Sequence, residues 1–214
     1  MKPRSLAGAL ALALVMGAAL PLQAADAPAA SATVAPAAPQ LHATMRALWQ
    51  GHVQQTRDYA LAVEASDAAG ATTAAEGVVA NAKQIADAVA GFYGKDAGAA
   101  MLDLLAGHWG GVKALTDAGK AGDPAGSASA MRDLAANGSA IAKFLAGANP
   151  NLPEAAVNGL LAAHVAHHQA QVGEIMRGDM AAEAKTWVAM KAHMDTLADA
   201  LSDGIAKQFP AKAT

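Results

Sequence analysis

The 214-residue chain contains no cysteine. It therefore cannot form a disulfide bond, and it cannot bind a metal ion through thiolate ligands. The absence of a Cys-x-x-Cys-His motif also excludes covalently attached haem. A transition-metal site in this chain has to use nitrogen or oxygen ligands, and the seven histidines are the obvious nitrogen donors.

Aromatic residues and positive charge are also scarce. Only 4% of the residues are aromatic, so helices in this Ala-rich chain are expected to pack through small side chains. Lys and Arg number 15 against 18 Asp and Glu. Binding to nucleic acid or to an anionic membrane surface requires clustered positive charge, so we expect neither partner.

Residues 1–24 have the pattern of a secretory signal peptide. Lys2 and Arg4 precede an apolar run over 6–20, which is shorter than the roughly 20 residues needed to span a bilayer. Leu22-Gln23-Ala24 fits the small-x-small rule for signal peptidase. We therefore expect cleavage after Ala24, a periplasmic or secreted location, and no membrane anchor. Loss of the two cations would change the formal net charge from −3 to −5.

Residues 25–40 are rich in Ala and Pro and lack an apolar period, which predicts a disordered linker. The domain that follows, over 41–210, contains an internal repeat with an offset of 56 residues and no gaps. The offset relates three histidines and three aspartates: His52, His108 and His164, and Asp67, Asp123 and Asp179. The pattern predicts three tandem copies, over about 41–94, 95–150 and 151–207.

Each copy is expected to form a helix, a tight turn and a second helix. Gly122-Asp123-Pro124 and Gly178-Asp179 combine a glycine that ends one helix with an aspartate that caps the next. Asn151-Leu152-Pro153-Glu154 resembles a capping box. The six helices are predicted near 40–65, 69–92, 96–120, 124–147, 152–177 and 180–207. Short turns favour an all-α, up-down six-helix bundle; an open stack of hairpins is the alternative.

One polar residue from each helix is predicted to lie at the same level of the bundle. Each copy has two such residues: the first precedes the turn aspartate by 15 positions, and the second follows it by 14. Because the number of residues from the turn sets the height along a helix, all six lie at the same height. All six fall on the apolar stripe that faces the core. They are His52, Asn81, His108, Asn137, His164 and His193. Because burying a polar group unpaired costs a few kcal/mol, they must bind each other, water or a ligand.

The histidines of this layer point to a metal site. Imidazole is a good ligand for Zn, Cu and Ni, which are the candidate metals. His168 follows His164 by one helical turn, so both rings lie on one face. The predicted ligands are His52, His108, His164, His168 and His193, with Asn81, Asn137 and Arg57 in support. Arg57 could orient the His52 ring or bind an anion, but the pattern favours a side chain that extends to solvent or pairs with a carboxylate on another helix.

Two other interpretations of the layer stay open. A buried polar residue can fix helix register without binding a ligand, which would make this a structural or interaction protein. Alternatively, the histidines bind haem noncovalently or line a pocket for a small organic ligand. No Ser-His-Asp order, glycine-rich phosphate loop or pair of acids stands out. The sequence therefore favours a binding protein over an enzyme.

Three motifs of this chain resemble the pattern of an uncharacterised family of bacterial helical proteins. They are Leu48-Trp49-x-x-His52-x-x-x-Thr56-Arg57, the later Phe92-Tyr93-Gly94, and a repeated His before a Gly-Asp turn. The resemblance covers most of residues 41–210. It implies the helical fold and no particular reaction. The leader and the additional His167 and His168 depart from the family pattern.

Overall fold

The computed structural model describes residues 38–213, which form six α-helices. The predicted signal peptide and nearly all of the predicted linker lie outside the described residues. The helices are α1 (Pro39–Glu64), α2 (Ala68–Tyr93), α3 (Lys95–Ala121), α4 (Pro124–Ala148), α5 (Glu154–Met176) and α6 (Met180–Gln208). Each prediction agrees with the observed helix to within one or two residues at either end. Within 38–213, no helix has the length and apolar character needed to cross a membrane.

The six helices form a closed bundle with an inner and an outer set. Helices α1, α3 and α5 contact one another, and each of α2, α4 and α6 packs against the two inner helices beside it. Contact between α6 and α1 closes the ring. The closed bundle is therefore correct, and the open stack of hairpins is not. Because consecutive helices are antiparallel, the three inner helices run in the same direction.

Aspartate caps fix the start of each even-numbered helix. The Asp67 carboxylate accepts from the backbone nitrogen of Gly70, and Asp123 and Asp179 make the equivalent contacts at α4 and α6. Gly122 and Gly178 precede two of these caps with φ of +64° and +69°, a left-handed conformation that glycine adopts without strain. Three similar turns therefore place the residues before and after them at matching heights.

The predicted capping box at α5 is not formed. Helix α5 begins at Glu154, with Pro153 as its N-cap and no side-chain hydrogen bond to the cap. Asn149 is the organising residue of this loop instead. Its Oδ1 accepts from the Asn151 backbone nitrogen, and its Nδ2 donates to the Tyr93 hydroxyl at the end of α2. A tertiary contact therefore replaces the local cap that the sequence pattern suggests.

Two apolar clusters fill the bundle on either side of the histidine level. The larger contains Met45 and Met101 from the inner helices and Met190 from α6, which act as core side chains. The smaller lies toward the hairpin turns and includes Leu115 and Ile175. The histidine level between them is therefore shielded from water at both ends.

Candidate metal centre

Four histidine side chains meet in the centre of the bundle, at the level where the sequence predicts a polar layer. His52 lies on α1 and His108 on α3, whereas His164 and His168 lie one turn apart on α5. Each residue is 3% exposed or less. One ring nitrogen from each lies within 4.8 Å of those from the other three. Four of the five predicted ligands are therefore together, in a group that could hold a metal ion.

The four rings surround one point. The ring centroids of His52, His108 and His164 are 5.4–5.8 Å apart, and that of His168 lies 4.4–6.1 Å from each of them. The Nε2 atoms of His164 and His168 are separated by 3.0 Å. Ligand nitrogens around a tetrahedral zinc ion with Zn–N bonds of 2.0–2.1 Å are about 3.3 Å apart. Side-chain shifts of about an ångström would therefore close the cluster around an ion of this size.

Burial keeps the four imidazoles uncharged. Loss of hydration, assisted by the neighbouring His108 ring, lowers the pKa of His52 to about 3. Burial lowers the pKa of His108 to about 4, although its hydrogen bond with Asn137 acts in the opposite direction. The pKa values of His164 and His168 are lowered well below the usual range, first by burial and then by the other rings. Since a ligating imidazole must be neutral, the cluster is in its ligand form at neutral pH.

Three nitrogens of the cluster lack a hydrogen-bond partner in the protein: the Nε2 atoms of His52 and His108, and the Nδ1 atom of His164. The His108 Nδ1 lies 3.2 Å from Oδ1 of Asn137 and donates to it, which leaves a lone pair on Nε2. A buried polar atom without a partner costs about 1–3 kcal/mol. A metal ion would satisfy the Nε2 atoms of His52 and His108, and their position in the cluster allows one ion to bind both.

The other three residues of the predicted layer bind backbone carbonyls. Each donates through a side-chain nitrogen to a leucine carbonyl 33 positions earlier, at 2.9–3.0 Å: Asn81 to Leu48, Asn137 to Leu104, and His193 to Leu160. These hydrogen bonds tie each outer helix to the inner helix before it. They fix the relative height of the two helices in every hairpin.

The fifth predicted ligand, His193, is outside the cluster. Its ring centroid is 6.4 Å from that of His164, and its Nε2 is occupied by the Leu160 carbonyl. The physical reason is depth: His193 lies on an outer helix, whereas all four clustered histidines lie on inner helices. Of the two asparagines expected to support the site, Asn137 contacts a clustered histidine. The Oδ1 of Asn81 is buried without a hydrogen-bond partner.

Arg57 pairs with a carboxylate on another helix and not with the His52 ring. Its Nε and Nη2 atoms donate to the two Glu183 oxygens at 2.6 and 2.8 Å. Gln171 also donates to Glu183, at 2.9 Å. The Arg57 hydrogen bond is the main cause that lowers the pKa of Glu183. This pair, in which Glu183 is buried and Arg57 is partly exposed, therefore joins α1 to α6, the contact that closes the bundle.

Replacing Arg57 with Leu should destabilise the protein strongly, because it leaves the buried Glu183 carboxylate without its counter-charge. We expect the free energy of unfolding to fall by about 3 kcal/mol or more. Urea denaturation measures it. The matched control is Arg46→Leu, which removes an equivalent fork to Asp199 on the exposed surface and should cost far less, because water screens an exposed ion pair. Equal losses in the two variants would contradict the prediction.

Sequence reasoning missed two features near the cluster. Glu183 follows the Asp179 cap by one turn, which is typical of a solvated first-turn acid; only its distant partner on α1 explains its burial. His167 received no role, yet its ring centroid lies 5.3 Å from that of His193. The alignment of the repeats could have identified His167 as unusual, because the 56-residue offset aligns it with Gln55 and Gly111. An imidazole at this position is peculiar to the third hairpin.

No family model, curated protein or solved structure matches this chain. The family resemblance of its sequence motifs therefore stays a prediction. The chemistry of the histidine cluster is the basis on which a function can be assigned.

Proposed function

We propose that this protein binds one divalent transition-metal ion through the imidazoles of His52, His108, His164 and His168. The supporting observation is their convergence: four neutral, buried rings present ligand atoms within 4.8 Å of one another. Three of the cluster's nitrogens lack any protein partner, among them the Nε2 atoms of His52 and His108. A site of this kind is preformed, because the ligands are already desolvated, uncharged and held on three rigid helices.

The ligand set favours Cu²⁺, Zn²⁺ or Ni²⁺. Imidazole suits these ions, whereas Ca²⁺ and Mg²⁺ require oxygen ligands. Four protein ligands complete a tetrahedral shell and leave no position for water or substrate, which is typical of structural zinc sites and not of catalytic ones. We therefore propose a protein that holds its ion, as a stable centre or for later release, and does not use it for hydrolysis.

A role limited to fixing the register of the helices explains the four histidines less well than metal binding does. Polar residues that set register are themselves hydrogen-bonded, as are nearly all buried polar groups. In this bundle Asn81, Asn137 and His193 fulfil that role, because each donates to a carbonyl of the preceding helix. The unpartnered nitrogens of His52 and His108 add nothing to register and cost stability without a ligand.

Noncovalent haem is also disfavoured by the geometry. A haem iron with two histidine ligands holds them on opposite faces of the porphyrin, and the macrocycle occupies the space around the axis that joins them. Here the remaining two imidazoles of the cluster fill that space, since all four rings lie within 6.1 Å of one another. A single ion fits between the rings with small shifts, whereas a macrocycle would need the inner helices to separate.

We further propose that the protein works outside the cytoplasm. The basis is the leader over 1–24, with its basic start, its apolar run and Ala24 at the expected cleavage point. Export would also explain the use of imidazole ligands in preference to thiolates, because exposed cysteines oxidise in such compartments.

Titration with Co²⁺ tests the proposal, because Co²⁺ occupies zinc sites and absorbs strongly in the visible range when tetrahedral. We expect an end point at one ion per chain in protein that carries no His-tag. His168→Val should abolish the absorption; Val is suitable because Val112 occupies the aligned buried position on α3. The control is His42→Gln, a buried histidine paired with Asp199 and Asp203 far from the cluster. Absent binding in the wild type, or equal loss in both variants, would overturn the proposal.

A further inference from the structure

Imidazoles continue from the buried cluster to the surface between α5 and α6. His167 and His193 are both partly exposed, with ring centroids 5.3 Å apart. The His193 ring lies nearly parallel to that of His164, at 6.4 Å and an interplanar angle of 13°. His164 in turn contacts His168, at 4.4 Å. A row of four rings therefore leads from solvent to the centre of the bundle.

This row is present at one of the three comparable seams. The positions aligned with His167 and His193 are Gln55 and Asn81 in the first hairpin, and Gly111 and Asn137 in the second. Neutral amides and glycine bind Zn²⁺, Cu²⁺ and Ni²⁺ poorly compared with imidazole. The α5–α6 seam is therefore chemically distinct, although the backbone hydrogen bond across it matches those of the other two.

His193 can bind an ion without giving up its structural hydrogen bond. Its Nε2 donates to the Leu160 carbonyl, so in the neutral ring the lone pair remains on Nδ1. The carbonyl also fixes the orientation of the ring, as backbone acceptors commonly do for metal-binding histidines. The nearby His167 supplies a second nitrogen on the solvent side.

We propose that His167 and His193 form the outer binding point through which the metal ion reaches and leaves the buried cluster, an inference that rests on the proposed function. Because His52, His108, His164 and His168 are all buried, an ion has to cross the outer layer of helices, and a functional metal site requires such a path. At this seam the ion exchanges from the outer imidazoles to His164, the clustered ring nearest them.

The experiment measures the rates of Co²⁺ uptake and of its removal by a chelator, followed by visible absorption in a stopped-flow instrument. The variants copy residues that the chain uses at the other seams: His167→Gln follows Gln55, and Ala163→Gly/His193→Asn follows Gly51 and Asn81. The glycine is needed because a Cβ at position 51 would lie 3.0 Å from the Asn81 amide nitrogen. The asparagine preserves the hydrogen bond to the Leu160 carbonyl. Gln55→Ala at the α1–α2 seam is the control.

We expect both rate constants to fall by roughly tenfold or more in each histidine variant, with an unchanged dissociation constant, since a path affects the two directions equally. The control should match the wild type. Two results would overturn the inference and leave the proposed function standing. One is that His167→Gln, a change at a partly exposed position, leaves the rates of Co²⁺ uptake and removal unchanged. The other is that a variant changes the dissociation constant of Co²⁺ because its rate of removal alone changes. If the wild type takes up no Co²⁺ at all, the proposed function itself fails, and the inference with it.

Discussion

Zn²⁺ or Cu²⁺ at about 100 times its dissociation constant should raise the melting temperature of the chelator-treated protein by about 5–10 °C. A ligand that binds only the folded state at this excess contributes about 2.7 kcal/mol, and 1 kcal/mol shifts the melting temperature of a domain of this size by about 2–4 °C. The four imidazoles come from α1, α3 and α5, so their geometry is lost on unfolding. Thermal denaturation with and without metal, followed by circular dichroism, measures the shift.

The variant His52→Leu distinguishes metal binding by His52 from a purely structural role of this residue. Without metal, this variant should be as stable as the wild type or more stable, because leucine removes a buried nitrogen that has no partner. With metal, it should lose most of the gain in melting temperature. His168→Val should also lose most of the metal-dependent gain, but without metal it should cost some stability, because it leaves the His164 Nε2 atom without its partner at 3.0 Å. A metal-dependent gain that persists in both variants would place the ion elsewhere and contradict the assignment of these ligands.

The helices and the level of the site could be predicted because both depend on local signals. Turn residues such as Asp67, Asp123 and Asp179 fix where helices begin, and counting residues from a turn gives height along a helix. His52, His108 and His164 were therefore correctly expected at one level and facing inward. Their agreement at a constant offset of 56 residues supplied the signal.

Two properties could not be predicted in this way, because they depend on how the helices pack. They are whether a side chain lies on an inner or an outer helix, and which distant side chain it contacts. Counting from the turn gave His193 the same height as His164, but it cannot distinguish an inner helix from an outer one. The partner of Arg57 lies 126 positions away, and no local pattern connects the two residues. His42 likewise meets Asp199 and Asp203 only when α6 closes against α1. Long-range contacts of this kind follow from the closed ring of helices. The sequence periodicity could not distinguish this closed bundle from an open stack of hairpins.

The metal-free protein should lose stability steeply as the pH falls from about 6.5 to 5. Burial lowers the pKa values of all four clustered histidines, to about 3 for His52 and about 4 for His108. In the unfolded chain the same side chains titrate near 6.5. The unfolded state therefore takes up protons first, and each histidine contributes up to about 1.4 kcal/mol of lost stability per pH unit below that value. Together they remove several kcal/mol, comparable with the roughly 5–15 kcal/mol that stabilises a typical domain.

Urea denaturation at pH 7.5, 6.5, 5.5 and 5.0 in the presence of a chelator measures this loss. Carboxylate effects fall mainly below this window, because the pKa values of Glu183 and Asp199 are lowered from ranges that already lie under pH 5. His168→Val should reduce the slope by somewhat less than a quarter, and His52→Leu/His168→Val by somewhat less than half, since each removes one of the four clustered rings and His167, whose pKa burial also lowers, contributes to the remainder. A slope that these substitutions leave unchanged would show that the clustered histidines take up protons in the folded protein, and hence that they are not held neutral for a metal ion.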